Sequence, residues 1–130
     1  MSCGRSVHAA EVLGADYVYM GTRFIATEES LAQDKYKQMV IDASVNDIVS
    51  SDAITGVKAN WLRSSLISAG YDPENMPATA SVDFASAASD VKRWRDIWAA
   101  GQGVGVIDKI QTIVEVVDQL ESEYIKSKLN

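Results

Sequence analysis

The amino-acid sequence predicts an α/β fold with one or two strands and about five helices, so that most of the chain is helical. A short apolar run at residues 17–20 ends at Gly21, which is typical of a buried parallel strand that leads into a tight corner. We expect Val18 and Met20 to lie in the best-buried strand. Later segments repeat apolar residues at spacings of three and four, which indicates amphipathic helices.

Composition and charge exclude several classes of protein. The 130 residues are 47% apolar and 23% charged, enough for one modest core. A net charge of −6 argues against nucleic acid or an anionic membrane as partner, because both require a basic surface. No apolar run approaches the length of a membrane span, and the N-terminal residues lack the apolar centre of a signal peptide, so we predict a cytoplasmic location.

The first helix is predicted at residues 6–13 and ends at Gly14. Its apolar side consists of Val7, Ala10 and Leu13. His8, the single histidine, lies on this helix and is expected to have a surface or packing role. Cys3, the single cysteine, is expected to be a loop residue because no neighbouring base would activate it. With one cysteine and one histidine, neither an internal disulfide nor a zinc site is predicted.

The corner after the apolar run has the chemistry of an anion site. Gly21 allows the backbone to approach a ligand closely, and Thr22 adds a hydroxyl group. If a helical turn begins here, the amides of Gly21, Thr22 and Arg23 point outward together. That arrangement holds phosphate groups at the N-termini of helices.

The next segments are predicted from their periodicity. Residues 27–30 supply a cap and an acidic first turn for a helix at residues 31–43. The apolar stripe of this helix is Ala32, Tyr36, Met39, Val40 and Ala43. Residues 46–56 form either a short strand or an extended loop. Lys58, Asn60 and Arg63 follow near an apolar turn, and we expect them to be solvated rather than to face a ligand.

The C-terminal half is predicted to be helical. Residues 69–80 contain both prolines and read as a loop, and residues 81–100 follow as a helix. The aromatic stripe of that helix is Phe84, Ala88, Val91, Trp94 and Trp98, and we expect the helices from residue 81 onward to pack together. Residues 108–111 resemble a capping box for a last helix. Its apolar stripe is Ile110, Ile113, Val114, Val117, Leu120 and Tyr124, and its solvated side is Glu121, Glu123, Lys126 and Lys128.

Three segments resemble the nitronate monooxygenase family, FMN enzymes once called 2-nitropropane dioxygenases. Residues 14–30, GADYVYMGTRFIATEES, resemble the last strand of the family's (β/α)8 barrel and the loop that follows it. The resemblance implies that Met20, Gly21 and Thr22 help to bind the phosphate of FMN. Residues 2–6, SCGRS, resemble the family's segment at the end of the preceding strand, although its double glycine is absent.

The glycine-rich residues 101–105 have two interpretations. They follow a predicted helix rather than a strand, so they do not form a dinucleotide fingerprint. They read as a helix C-cap with a tight turn. Alternatively, residues 98–105 resemble the family's loop that returns towards the flavin, which implies that Gln102 reaches the cofactor or the substrate.

Length limits what the resemblance implies. A complete (β/α)8 barrel takes roughly 200 to 250 residues, and this chain has 130. We therefore expect the C-terminal part of such a barrel, with a missing N-terminal half as a partner. Residues 1–70 would contain the last strand, the corner and the following helices, residues 71–80 a loop, and residues 81–130 a helical extension.

The resemblance implies the oxidation of alkyl nitronates with dioxygen, giving a carbonyl product and nitrite. The family's histidine base belongs to an earlier segment, so no catalytic residue is assigned here, and we expect the chain to be inactive alone. An NAD(P)H-dependent flavin oxidoreductase or enoyl reductase would share the same corner and stays an alternative. A helical interaction module without enzymatic activity is a further alternative.

Overall fold

The computed structural model describes residues 1–77 and 96–129. This part of the chain contains five α-helices and two β-strands. They are α1 Gly4–Val12, α2 Thr22–Ile25, α3 Asp34–Asp42, β1 Ile48–Ser51, β2 Ala59–Leu62, α4 Arg63–Ser68 and α5 Ile113–Lys128. Two short 3-10 helices lie at Val45–Asp47 and Gln102–Val106. The predominance of helix agrees with the prediction.

The predicted strand at residues 17–20 does not form. The segment has no strand partner among the described residues, and Tyr17 and Tyr19 are 93% and 92% exposed. Val18 and Met20 are only half-buried, so the prediction that they lie in the best-buried strand is wrong. A parallel strand is stable and buried only where neighbouring strands complete its hydrogen bonds. The described residues supply none beside this segment.

The two strands form an antiparallel pair further along the chain. β1 pairs with β2 so that Ile48 lies opposite Leu62 and Val49 lies opposite Trp61. The indole nitrogen of Trp61 donates a 3.0 Å hydrogen bond to the carbonyl oxygen of Ser51. The strand alternative for residues 46–56 is therefore confirmed over Ile48–Ser51. The expected turn around Trp61 and Leu62 is wrong, because strand pairing buries both residues.

Two clusters of buried side chains form the core. The larger contains Ala26, Val40, Ala43, Leu62, Ala100, Val104 and Ile107. The smaller contains Ile54, Trp61, Leu66 and Ile97. The larger cluster joins α3 and β2 to the glycine-rich residues near position 101, and this contact holds that segment against the first half of the chain. The division at residues 71–80 stays a prediction.

Helices α1 and α5 pack closely because Gly4 has no side chain. A Cβ atom at Gly4 would lie 2.2 Å from the carbonyl oxygen of Leu120 and 2.5 Å from the amide nitrogen of Tyr124. The amide of Gly4 donates a 2.7 Å hydrogen bond to Glu123 Oε2. Glu123 is therefore half-buried at the contact, whereas the sequence placed it on the solvated side.

The beginning and buried face of α5 also differ from the prediction. The capping box is formed by Thr112 and Glu115, not by residues 108–111. Gln111 instead forms a parallel bridge with Thr27. Residues 27–30 do not cap α3 as predicted, because that helix begins after Gln33. Val116, absent from the predicted stripe, is completely buried, while the predicted Ile113, Val114 and Val117 are exposed. The apolar periodicity therefore did not identify the buried face of α5.

His8 has the packing role expected of it. Its ring meets the ring of Tyr124 edge to face at 6.0 Å between centroids, and its Nδ1 lies 3.1 Å from Ser127 Oγ. Cys3 is the N-cap residue of α1. His8 therefore serves the contact between α1 and α5.

Most of the helix predicted at residues 81–100 lies outside the described residues, and so does its packing. Trp98 is described and stacks on Tyr36, with ring centroids 5.0 Å apart. Ala99 forms an antiparallel bridge with Trp61, so the residues just before Gly101 are extended rather than helical. Of the helices that the structure describes, none is long and apolar enough to cross a membrane.

Candidate functional site

Three segments that are distant in sequence meet at one end of the molecule. We call residues 20–22 the glycine corner, residues 101–103 the glycine loop and residues 2–4 the N-terminal turn. The amide of Gly101 donates a 2.8 Å hydrogen bond to Thr22 Oγ1, which joins the loop to the corner. A Cβ atom at Gly103 would lie 2.2 Å from Ser2 Oγ, so the loop also touches the N-terminal turn.

The glycine corner is open to a ligand. Gly21 is exposed, and no heavy atom lies within 4 Å of the position that its Cβ would occupy. Its φ of −97° is accessible to any residue, so free space rather than backbone conformation distinguishes this glycine. Among the described residues, no acceptor receives a hydrogen bond from the amides of Gly21 and Thr22. These two N–H groups are therefore available to an anion.

Ser2 adds a buried hydroxyl group beside the glycine loop. The residue is 4% exposed, and its Oγ has no hydrogen-bond partner within the part of the chain that the structure describes. A buried polar group without a partner costs about 1 to 3 kcal/mol. Such a group is expected where a polar ligand completes the site. Sequence analysis did not select Ser2, although its place directly before the N-cap residue of α1 was a usable signal.

Arg23 connects the corner to α5. The residue is 1% exposed, and its Nη2 donates to Gln111 Oε1 at 2.7 Å and to Gln119 Oε1 at 3.2 Å. Its Nη1 is buried without an acceptor in the described residues. Burial lowers the pKa of Arg23, and the negative charges of Asp108 and Glu123 oppose that shift. Sequence analysis selected only the backbone amide of Arg23, because its side-chain partners Gln111 and Gln119 are distant in the sequence.

Gln102 lies next to the corner through its neighbour Gly101. It begins the 3-10 helix Gln102–Val106, and its side chain is exposed. The interpretation of this segment as a helix C-cap is wrong, because the residues before Gly101 are extended. Of that interpretation, only the tight turn after Gly101 is present, as the 3-10 helix. Contact between Gln102 and a cofactor stays a prediction, as do the binding roles of Met20, Gly21 and Thr22.

The polar residues after β1 do not form a ligand site. Arg63 forms an ion pair with Glu74, and Lys58 is exposed. The backbone carbonyl of Asn60 accepts a 3.2 Å hydrogen bond from the amide of Ala100. The expectation of solvation is confirmed for Lys58, whereas Asn60 and Arg63 are half-buried, and for them it stays a prediction. In residues 1–77 and 96–129, no group of three or more His, Cys, Asp or Glu side chains is arranged to hold a metal ion.

Comparison with solved structures shows the fold. FabK from Thermotoga maritima is 28% identical, with a TM-score of 0.71, and the match covers 99% of this chain and 43% of that chain. Nitroalkane oxidase from Streptomyces ansochromogenes is 24% identical, with a TM-score of 0.70, and the match covers 99% of this chain and 38% of that chain. The protein has the fold of the C-terminal part of a (β/α)8 barrel, as the resemblance implied.

Comparison with curated proteins and family models shows the family. A probable nitronate monooxygenase from Staphylococcus haemolyticus is 28% identical in an alignment of 134 positions that covers 88% of this chain and 38% of the relative. A putative monooxygenase from Mycobacterium tuberculosis is 28% identical in an alignment of 136 positions that covers 94% of this chain and 36% of the relative. The chain thus spans little more than a third of these relatives. The model of the nitronate monooxygenase family matches residues 1–123, and the chain belongs to that family.

Proposed function

We propose that this chain supplies the phosphate-binding end of an FMN site in an enzyme that oxidises alkyl nitronates with dioxygen. The observation that carries the proposal is the glycine corner, where the Cβ position of Gly21 is open and the amides of Gly21 and Thr22 have no acceptor among the described residues. In (β/α)8 barrels, phosphate groups are commonly bound by the loops after the seventh and eighth strands. The N-terminal turn and the glycine corner are the corresponding segments here.

The residues fit a phosphate group. Gly21 leaves room for an anion, and its amide and that of Thr22 supply two donors. The hydroxyl group of Thr22 accepts from the amide of Gly101 and so positions the glycine loop, while its O–H can still donate to the phosphate. The buried Oγ of Ser2 is a further donor that lacks a partner among the described residues.

FMN, when bound, would accept electrons from the nitronate and pass them to dioxygen. The residues of this chain would hold the phosphate and orient the cofactor. Because the chain spans little more than a third of its relatives, we propose that a preceding part of the barrel supplies the base and most contacts to the flavin ring. The cytoplasmic location stays a prediction.

A second candidate function keeps the same corner and changes the reaction. The matched structures are named FabK and nitroalkane oxidase, so likeness of fold does not select one chemistry. An NAD(P)H-dependent flavin oxidoreductase or enoyl reductase therefore remains the alternative. Anaerobic bleaching of the flavin by NAD(P)H in the assembled enzyme would favour it, whereas bleaching by an alkyl nitronate would favour the first.

Binding of FMN to the purified chain tests the phosphate site directly. Phosphorus NMR of FMN and its visible absorption are followed as the chain is added, with riboflavin as the matched ligand that lacks the phosphate. We expect FMN to bind more tightly than riboflavin and Gly21→Asp to abolish the difference, because the new carboxylate repels the phosphate. Equal binding of both ligands, or a variant equal to the original protein, would contradict the proposal.

A further inference from the structure

The extended segment at residues 17–20 has two different sides. Tyr17 and Tyr19 are almost fully exposed, whereas Val18 and Met20 are half-buried. This alternation is the one that a strand produces, because successive side chains point to opposite faces. The segment therefore keeps the geometry of a strand although it has no strand partner among the described residues.

The buried side of this segment faces the helices. Val18 and Tyr17 line a groove of about 1020 Å³ together with Val7 of α1 and with Leu120 and Tyr124 of α5. In a (β/α)8 barrel, one side of each strand packs on the outer helices and the other points into the barrel. Tyr19 does not line this groove, and as the extended neighbour of Val18 it faces the interior.

The two tyrosines lie at different depths. A strand advances about 3.3 Å per residue. Tyr19 is two residues before Gly21, so its Cα lies roughly 7 Å from that of Gly21, and the Cα of Tyr17 lies roughly 13 Å away. Active sites of this fold lie at the C-terminal ends of the strands. The segment ends at the glycine corner, so Tyr19 belongs to the active-site end and Tyr17 lies farther from it.

We propose that Tyr19 is a binding residue of the active site and that its phenol ring packs against the flavin ring system. This inference rests on the proposed function, because the phosphate at Gly21 sets where the flavin begins. The ribityl chain of FMN separates the phosphate from the ring system by a few bonds, which is within the reach of a tyrosine two residues from the corner. Aromatic rings in such contact prefer offset or edge-to-face packing.

A tyrosine in contact with a flavin changes the fluorescence of the flavin, whereas a residue that only supports the fold does not. A phenol in contact with the flavin ring quenches its fluorescence by electron transfer, whereas leucine does not. Tyr17 has the same residue type and nearly the same exposure but lines the groove beside the helices, and it is therefore the control. Tyr19→Phe tests the ring without the phenol, because phenylalanine packs similarly but is a poor electron donor.

The experiment measures flavin fluorescence and visible circular dichroism while FMN is titrated with the complete chain. Tyr19→Leu, Tyr19→Phe and Tyr17→Leu are compared with the original protein, and phosphorus NMR reports whether the phosphate is bound. We expect a several-fold loss of quenching in both Tyr19 variants and none in Tyr17→Leu. Visible circular dichroism should be kept in Tyr19→Phe and lost in Tyr19→Leu.

The outcomes separate the inference from the function beneath it. If FMN binds through its phosphate and Tyr19→Leu quenches like the original protein, the assignment of Tyr19 is overturned and the phosphate site stands. If the original protein binds FMN no better than Gly21→Asp does, the phosphate site fails, and the assignment of Tyr19 fails with it. Far-ultraviolet circular dichroism of each variant verifies that the fold is retained.

Discussion

Thr22 Oγ1 accepts a 2.8 Å hydrogen bond from the amide of Gly101, across 79 positions of sequence. This bond joins the glycine corner to the glycine loop, and the contact between Gly103 and Ser2 adds the N-terminal turn. Three segments that resemble the family separately are thereby one structural unit. Disturbing one of these contacts should affect both stability and the proposed phosphate site.

Replacement of Thr22 by valine tests the bond between the corner and the loop. Valine has nearly the same shape but cannot accept a hydrogen bond, so the amide of Gly101 loses its partner. We expect the free energy of unfolding to fall by about 1 to 3 kcal/mol. Urea denaturation measures it, with Thr22→Ser as the control that keeps the hydroxyl group. A valine variant as stable as the serine variant would show that the bond contributes nothing.

Alanine at Gly4 should separate α1 from α5. Its Cβ would lie 2.2 Å from a backbone oxygen of Leu120, and backbone atoms cannot rotate away. We expect a loss of stability of about 1 to 3 kcal/mol, seen as a lower melting temperature. Gly21→Ala is the matched control, because open space and an ordinary φ accept its Cβ. A similar loss in both variants would argue against the close helix contact.

A double-mutant cycle tests the buried bond between Arg23 and Gln111. Hydrogen bonds to charged groups contribute roughly 1.5 to 3 kcal/mol. We therefore expect Arg23→Met and Gln111→Met to couple by an energy of that size in unfolding experiments. Gln38, which donates to Asp42 on α3, is the control partner, and its variant should be additive with Arg23→Met. Additivity in both cycles would contradict the role of Arg23 in holding α5.

The capping box of α5 should make stability depend on pH. Hydrogen bonds from the backbone amide and then from the hydroxyl group of Thr112 lower the pKa of Glu115 below its ordinary value of 4.5. A carboxylate with a lowered pKa stabilises the fold above its unfolded pKa, and the effect is lost as pH falls through the folded pKa. The melting temperature of Glu115→Gln should therefore lie below that of the original protein at pH 7.

In acid below the folded pKa of Glu115, the two melting temperatures should converge. Thermal unfolding followed by circular dichroism across pH 2.5 to 7 provides the measurement. A gap that stays constant across this range would mean that the glutamate acts through shape rather than charge.

Local patterns predicted several elements with small errors at their ends. Apolar spacing placed α1 and α3 within a few residues of their observed bounds, because helices are selected by contacts three and four residues apart. The same reasoning failed for the buried face of α5. Val116 is buried and Val114 is exposed, and the contacts of α5 with α1 reach residues more than a hundred positions away, which no local spacing reveals.

The sequence by itself determined helices such as α1 and α3 and the family resemblance, since these depend on residues adjacent in the chain. Only the tertiary structure decided which residues lie together at the candidate site. It buried Arg23 between two glutamines, left Ser2 without a partner among the described residues and joined Thr22 to Gly101. It also left residues 17–20 extended, with no strand partner in the part of the chain that the structure describes. Hydrogen bonds and burial between distant segments depend on how the whole chain packs, and strand formation depends on neighbouring strands.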